Sequence, residues 1–298
     1  MTSRATALIL MVALLAPAAA RAVGDYPPRI EGARVEIYKT VGDTPLKLWI
    51  FSPKQAAAEP RPAIVLFFGG GWKSGSPQQF EPQCRHLAEQ GMVAITADYR
   101  VASRHAAKPV DCLADARSAV RWVRANAARF GIDPDRIAAG GGSAGGHLAA
   151  CTAFINAFDD PAEDRGVSAA PNALVLFNPA LVLAPLPGLD LAGFGTRVAA
   201  DRLGTEPKNL SPAHHVKPDG PPTIIFHGSA DETVPLATAE AFAAVMRKAG
   251  NRCEVVASAG QPHGFFNREP WRSKTLAEAA TFLESLGWLD AAVPAATR

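Results

Sequence analysis

The chain has 298 residues, 48% apolar and 19% charged, enough apolar material for one full α/β core and too little charge for a disordered chain. Its 30 Lys and Arg against 28 Asp and Glu leave a formal charge of +2. That balance excludes the basic stripe of a nucleic-acid binder and the polybasic cluster of a membrane-surface protein.

At the N-terminus, Arg4 followed by the apolar run 5–20 and the Ala20-Arg21-Ala22 pattern has the shape of a secretory signal peptide. Cleavage is expected after Ala22, with Ala20 as the alternative, which places the protein outside the cytoplasm, secreted or periplasmic. The apolar run is too short for a bilayer span and Pro17 interrupts it, so no membrane span is expected after cleavage. Residues 23–290 are then expected to form the folded domain and 291–298 an Ala-rich flexible tail.

Residues 34–39 and 46–51 alternate apolar and polar side chains around the turn-rich Gly42-Asp43-Thr44-Pro45, which predicts an antiparallel hairpin at a sheet edge. After Pro62 the pattern changes to short, continuous apolar runs, each followed by a segment of helical period. The runs at 63–68, 93–97, 137–139, 174–177 and 223–226 predict buried parallel strands with crossover helices, and 253–257 a last strand. Helices are predicted over 110–130, 147–154, 236–249 and 274–286, three of them closed by Gly131, Gly250 and Gly287. Between Pro179 and Pro222 the rhythm stops; residues 180–215 are expected to form a small cap or lid, since structureless connections of that length are usually functional.

Four positions carry chemistry. Ser143 stands in Gly141-Gly142-Ser143-Ala144-Gly145, between a predicted strand and a predicted helix. A strand that turns sharply into a helix pushes one side chain outward, and small neighbours let the turn close. Serine needs a base, and the base needs an orienting group. His263, on the loop after the last strand, and Asp231, on the loop after strand 223–226, supply them in the order Ser, Asp, His. Glu232 is the fallback acid; His147, His214, His215 and His227 are the competing histidines. An oxyanion needs backbone donors, and Gly69-Gly70-Gly71-Trp72 directly follows strand 63–68. The hole is assigned to the N–H groups of Gly70, Gly71 and Ala144. Trp72 either lines the substrate cleft or packs under the loop. The glycine runs lack the Gly-Lys-Ser/Thr of a phosphate-binding loop and the acidic partner of a dinucleotide site. No cofactor is required. The four cysteines, Cys84, Cys112, Cys151 and Cys253, have no metal-binding spacing, so no metal is expected, while their pairing stays open.

The ordered motifs FFGGGW (67–72), DYR (98–100), GGSAGGH (141–147), HGSADETVP (227–235) and HGFFN (263–267) resemble the bacterial esterases related to hormone-sensitive lipase and to acetyl xylan and feruloyl esterases. The resemblance runs over roughly residues 34–288 and implies the α/β-hydrolase fold: a mostly parallel sheet flanked by helices, with an antiparallel edge hairpin and a small cap. It implies a serine esterase acting on a small-molecule or carbohydrate ester, often an acetyl ester, with Asp98, Arg100 and Asp115 as structural contacts near the glycine loop. The sequence departs from the family at Phe68, where a histidine usually precedes the triglycine. The alternatives are a peptidase or lactonase-like hydrolase on the same fold and a catalytically silent binding protein.

Overall fold

The computed structural model describes residues 26–55, 57–189 and 199–290. The signal segment 1–22, the tail 291–298 and the middle of the expected cap (190–198) lie outside the described residues.

Eight strands form one sheet in the order β1-β2-β4-β3-β5-β6-β7-β8. β1 (Arg34–Val41) and β2 (Thr44–Phe51) form the antiparallel edge hairpin. Its turn is tighter than the sequence suggests, because Thr44 and Pro45 already pair with Val41 and Thr40. β2 runs antiparallel to β4 (Val93–Ala97), and from there the ladders are parallel through β3 (Arg61–Phe67), β5 (Ile132–Gly142), β6 (Ala173–Phe177), β7 (Thr223–Gly228) and β8 (Cys253–Ser258). The central strands are almost wholly buried, which explains why they read as continuous apolar runs rather than alternating ones.

The order reverses at β3: the chain moves outward to β4 through α1 (Glu81–Glu89), then returns past β3 to β5 through the one-turn α2 (Ala102–His105) and α3 (Pro109–Ala125). Right-handed crossovers in opposite directions place these helices on opposite faces. α1 meets α7 (Trp271–Glu284) on one face, and α3 meets α4 (Ala144–Phe154) on the other. α6 (Leu236–Lys248) connects β7 to β8. The carboxyl ends of β3 and β5 are therefore neighbours at a topological switch point, where open α/β sheets bind ligands.

Three elements differ from the sequence reading. α3 stops at Ala125 because Asn126 leaves helical geometry and its side chain donates to Trp122 O; 127–130 follow as a separate tight turn. α1 is an addition, betrayed only by the stripe Cys84, Leu87, Ala88. In the segment 180–215, residues 180–184 are buried against the core, and a one-turn helix α5 (Ala200–Leu203) and tight turns at 207–210 and 212–214 follow. All four cysteines are buried and unpaired.

The departure at Phe68 is accommodated by packing. Its buried ring stacks on Tyr99 at 4.1 Å between centroids, while the Tyr99 hydroxyl donates to Phe68 O at 2.7 Å. Nearby, Arg100 holds buried Asp115 in a two-point ion pair at 2.7 and 2.9 Å. Asp98 accepts from the Tyr26 hydroxyl and from Tyr99 N–H. Burial nevertheless raises its pKa to about 6. A group whose native pKa lies above its unfolded value loses stability as pH rises through that window. Between pH 4 and pH 7, Asp98→Asn should therefore gain roughly 2 kcal/mol relative to the wild type. Urea unfolding of both proteins at the two pH values measures it; a pH-independent difference would refute this account.

Candidate active site

Ser143 follows β5 directly and caps α4 at φ 53°, ψ −116°, a backbone conformation that strains any residue with a side chain. The turn must be this tight because α4 starts against the end of β3. A Cβ on Gly145 would lie 2.0 Å from Phe67 O and 2.4 Å from Phe68 O, and backbone there has nowhere to go. The strained residue is held by its neighbours. Its N–H donates to Phe177 O at 2.8 Å, and its carbonyl accepts from His147 N–H at 2.9 Å.

The three residues nominated from sequence meet at this point. The Ser143 hydroxyl donates to His263 Nε2 at 2.9 Å, and His263 Nδ1–H donates to Asp231 Oδ2 at 2.7 Å. Ser143 and His263 are half-buried, whereas Asp231 is buried. Burial alone would raise the Asp231 pKa, but it is outweighed by the nearby His227 ring and by hydrogen bonds from His263 and the Val234 N–H, which hold the carboxyl well below the usual range. An ionised Asp231 fixes the His263 tautomer with its proton on Nδ1 and leaves Nε2 free to take the serine proton. Glu232 is exposed, and no hydrogen bond joins it to His263. Among the competing histidines, His227 donates Nε2–H to Val234 O at 2.8 Å and lies 3.4 Å from Asp231 Oδ2. His214 and His215 bond to cap residues and backbone instead.

The glycine loop stands opposite. Gly70 (φ 123°) and Gly71 (φ 62°) occupy backbone regions that L side chains rarely adopt. The Gly70 carbonyl accepts from the N–H groups of Lys73 and Ser74, which folds the loop back on itself. The Gly69 N–H is already used, donating to Gln79 Oε1 at 2.6 Å. Among the described residues no acceptor takes the N–H of Gly70 or Gly71. Ala144 is the first residue of α4, so its N–H belongs to the helix's open first turn. Of the two roles the sequence left open for Trp72, the structure shows packing under the loop: it is buried, with its ring edge-on to His147 at 5.0 Å. His147 is itself buried and donates Nε2–H to Leu210 O; burial lowers its pKa to about 4, so it is neutral. From α5, Arg202 reaches across to donate to Gly71 O at 2.9 Å.

Sequence reading missed Gln79, Asn178 and Arg202. Asn178 carried the only usable signal, its place at the carboxyl end of a buried strand.

The arrangement joins an alcohol, an imidazole and a carboxylate in one line, with free backbone donors beside the alcohol: the equipment for forming and breaking an acyl-serine bond. Gly145→Ala should destabilise the protein by about 3 kcal/mol, through collision with backbone rather than with a movable side chain. Urea unfolding would show it, and a midpoint equal to the wild type would contradict the packing described.

Comparison with known proteins agrees with this geometry. A family model described as BD-FAE matches residues 48–177. Esterase LipQ of Mycobacterium tuberculosis is 30% identical over 240 residues, 77% of this chain and 56% of LipQ. Esterase LipC of the same organism is 31% identical over 240 residues, 75% of this chain and 58% of LipC. The chain thus spans just over half the length of these curated relatives. A solved structure of Thermogutta terrifontis esterase 2 with propionate bound is 52% identical, with a TM-score of 0.84 over 90% of this chain and 100% of that one. The same esterase phosphorylated by paraoxon is 51% identical, with a TM-score of 0.82 over 90% and 99%.

Proposed function

The chain belongs to the esterases of the α/β-hydrolase fold, and from that membership we propose that it hydrolyses carboxylic esters of short acyl groups through Ser143, His263 and Asp231. The observation that carries the reading is the unbroken line of hydrogen bonds from Ser143 Oγ through His263 to Asp231, 2.9 and 2.7 Å long.

In the first half-reaction Ser143 Oγ attacks the ester carbonyl as its proton passes to His263 Nε2. The resulting oxyanion sits against the N–H groups of Gly70, Gly71 and Ala144, each donor of this kind being worth roughly a hundredfold in rate or more. Collapse of the tetrahedral intermediate returns the proton from His263 to the departing alkoxide, releasing the alcohol and leaving acyl-Ser143. A water then enters, gives its proton to His263 and attacks the acyl carbon; the proton returns to Ser143 Oγ as the carboxylic acid leaves. Asp231 stays ionised throughout and stabilises the imidazolium.

Two observations support a short acyl group. Thermogutta terrifontis esterase 2, similar over nearly the whole of this chain, has been solved with propionate and with butyrate bound. In this chain, the buried Trp72 and His147 rings and the Arg202 contact crowd the space beyond the glycine loop. Acetyl esters fall in the same class, and the resemblance to acetyl xylan esterases supports a carbohydrate as the alcohol. The basic and apolar segment 1–22 supports export.

Three measurements test this reading. Ser143→Ala should lower kcat on p-nitrophenyl acetate by a factor of about 10⁴ or more while leaving the fold intact; wild-type turnover would end the proposal. A panel of p-nitrophenyl acetate, butyrate and laurate, an acetylated sugar and a dipeptidyl amide should give the highest kcat/KM on the short esters, and preference for the laurate or the amide would redirect it. Expression with the full N-terminus in a Gram-negative host should yield exported protein beginning at Val23, read by N-terminal sequencing; retention of Met1 in the cytoplasm would count against export.

A further inference from the structure

One dipeptide at the carboxyl end of β6 touches two residues of the proposed triad and the neighbour of the third. The Phe177 carbonyl accepts the N–H of Ser143 at 2.8 Å. The side chain of the next residue, Asn178, donates Nδ2–H to Asp231 Oδ2 at 3.0 Å and accepts the Gly264 N–H on Oδ1 at 3.3 Å. Gly264 is the residue after His263, so the Asn178 amide joins the acid and the backbone of the base. It meets Asp231 on the same oxygen that receives the His263 proton donor.

We infer that Asn178 is the positioning residue of this esterase: its side-chain amide fixes the separation and orientation of Asp231 and His263. The inference rests on the triad reading and adds to it a residue that touches no reacting atom.

Five features carry the inference. The amide can be oriented only one way, because an ionised Asp231 oxygen only accepts and the Gly264 N–H only donates, so Nδ2 must face the first and Oδ1 the second. Asn178 has no exposed surface, so this bridge replaces bonds that water would otherwise make. Its backbone sits at φ 45°, a left-handed conformation that asparagine tolerates and most residues do not. Its N–H is anchored on Phe226 O at 2.8 Å, so the strained residue is clamped between β6 and β7. The Phe177 ring locks the same point from below, stacking on Phe226 at 5.2 Å and on Phe266 at 4.8 Å, three residues beyond His263.

The other Asp231 oxygen is held by the N–H groups of Thr233 and Val234, both on its own loop. Hydrogen bonds tie that loop to the His263 loop, from Ala230 N–H to Gln261 O at 3.0 Å and from Gly260 N–H to Ser229 Oγ at 2.8 Å, and so set the spacing of the two segments but not the aim of the carboxylate and the imidazole. His227 is also close to Oδ2, but its Nε2–H is committed to Val234 O. The Asn178 amide, carried on a third element, holds Asp231 Oδ2 and the Gly264 backbone beside His263 together. Without it Asp231 keeps its charge, while Oδ2 and Gly264 lose their shared support; by general experience a small misplacement of a catalytic group is costly in rate.

Two variants separate positioning from simple folding. Asn178→Gly removes the amide and suits the left-handed backbone. Asn178→Asp keeps the shape, and its carboxyl, buried against Asp231, retains a proton that it can donate to Oδ2 as the amide does. With p-nitrophenyl acetate, Asn178→Gly should lower kcat about tenfold with KM changed by less than about twofold, since one hydrogen bond to a charged group is lost. Asn178→Asp, with the donor restored, should keep kcat within about threefold of the wild type at pH 7. A folded Asn178→Gly protein with wild-type kcat, or an Asn178→Asp protein no more active than the Gly variant, overturns the inference. If the Gly variant does not fold, the Asp variant decides alone: kcat within about threefold of the wild type supports the inference and a loss of about tenfold or more overturns it. Ser143→Ala run beside them keeps the two readings apart: its full activity would refute the triad, whereas its inactivity beside an active Asn178→Gly protein would refute only the role of Asn178.

Discussion

The end of β3 and the start of α4 occupy almost the same space, and the site depends on that crowding. Phe67 pairs with Gly141 in the ladder, and the Phe67 carbonyl then faces the Gly145 backbone so closely that no Cβ could stand between them. The chain has only one way out of β5, a turn that forces Ser143 to φ 53° and presents its hydroxyl above the sheet. A strained residue of this kind costs on the order of 1–3 kcal/mol and persists only when its surroundings over-determine it. Here they do: the Ser143 N–H is bound to β6, its carbonyl is bound within α4, and a Cβ on Gly142 would collide with the Phe266 ring. The same crowding brings the glycine loop after β3 beside Ser143, so the loop and the hydroxyl are placed by one contact.

Two buried aspartates show how local hydrogen bonding sets charge. Asp231 and Asp98 are both nearly inaccessible, yet one is held strongly acidic and the other is pushed up to about 6. Asp231 receives two backbone N–H groups, the Asn178 amide and an imidazole. Asp98 receives one phenol and one N–H, too few to offset its desolvation. A carboxylate that orients a catalytic histidine must stay ionised while buried, and its donors achieve this. At Asp98 the carboxyl joins Tyr26 to the Tyr99 backbone just beyond β4, a role that does not require a charge.

The expected cap proves to be two things. Its first residues are core, with Leu181 and Val182 fully buried, and its later part reaches back to the site. The Leu210 carbonyl accepts from His147, and Arg202 donates to the Gly71 carbonyl, so this segment touches both α4, behind Ser143, and the glycine loop.

Ser143, Asp231, His263 and the donor glycines were legible in the sequence because each sits where a continuous apolar run ends in small or polar residues, and because their order along the chain is that of the fold. The parallel strands were legible for the same reason: burial on both faces leaves a short continuous apolar run, and turn residues bound it at strand length. What the sequence could not show is what holds these parts in register. Asn178 meets Asp231 across 53 residues and Gly264 across 86, and Gln79 reaches Asn267 across 188. Nothing local to an asparagine or a glutamine marks it as a partner at such separations, since an amide forms the same bonds in any turn. The fate of Phe68 was equally hidden, because its stacking on Tyr99 depends on β3 and β4 lying side by side. Local chemistry is written residue by residue, whereas the distances between catalytic groups exist only once strand order and register have brought remote segments together.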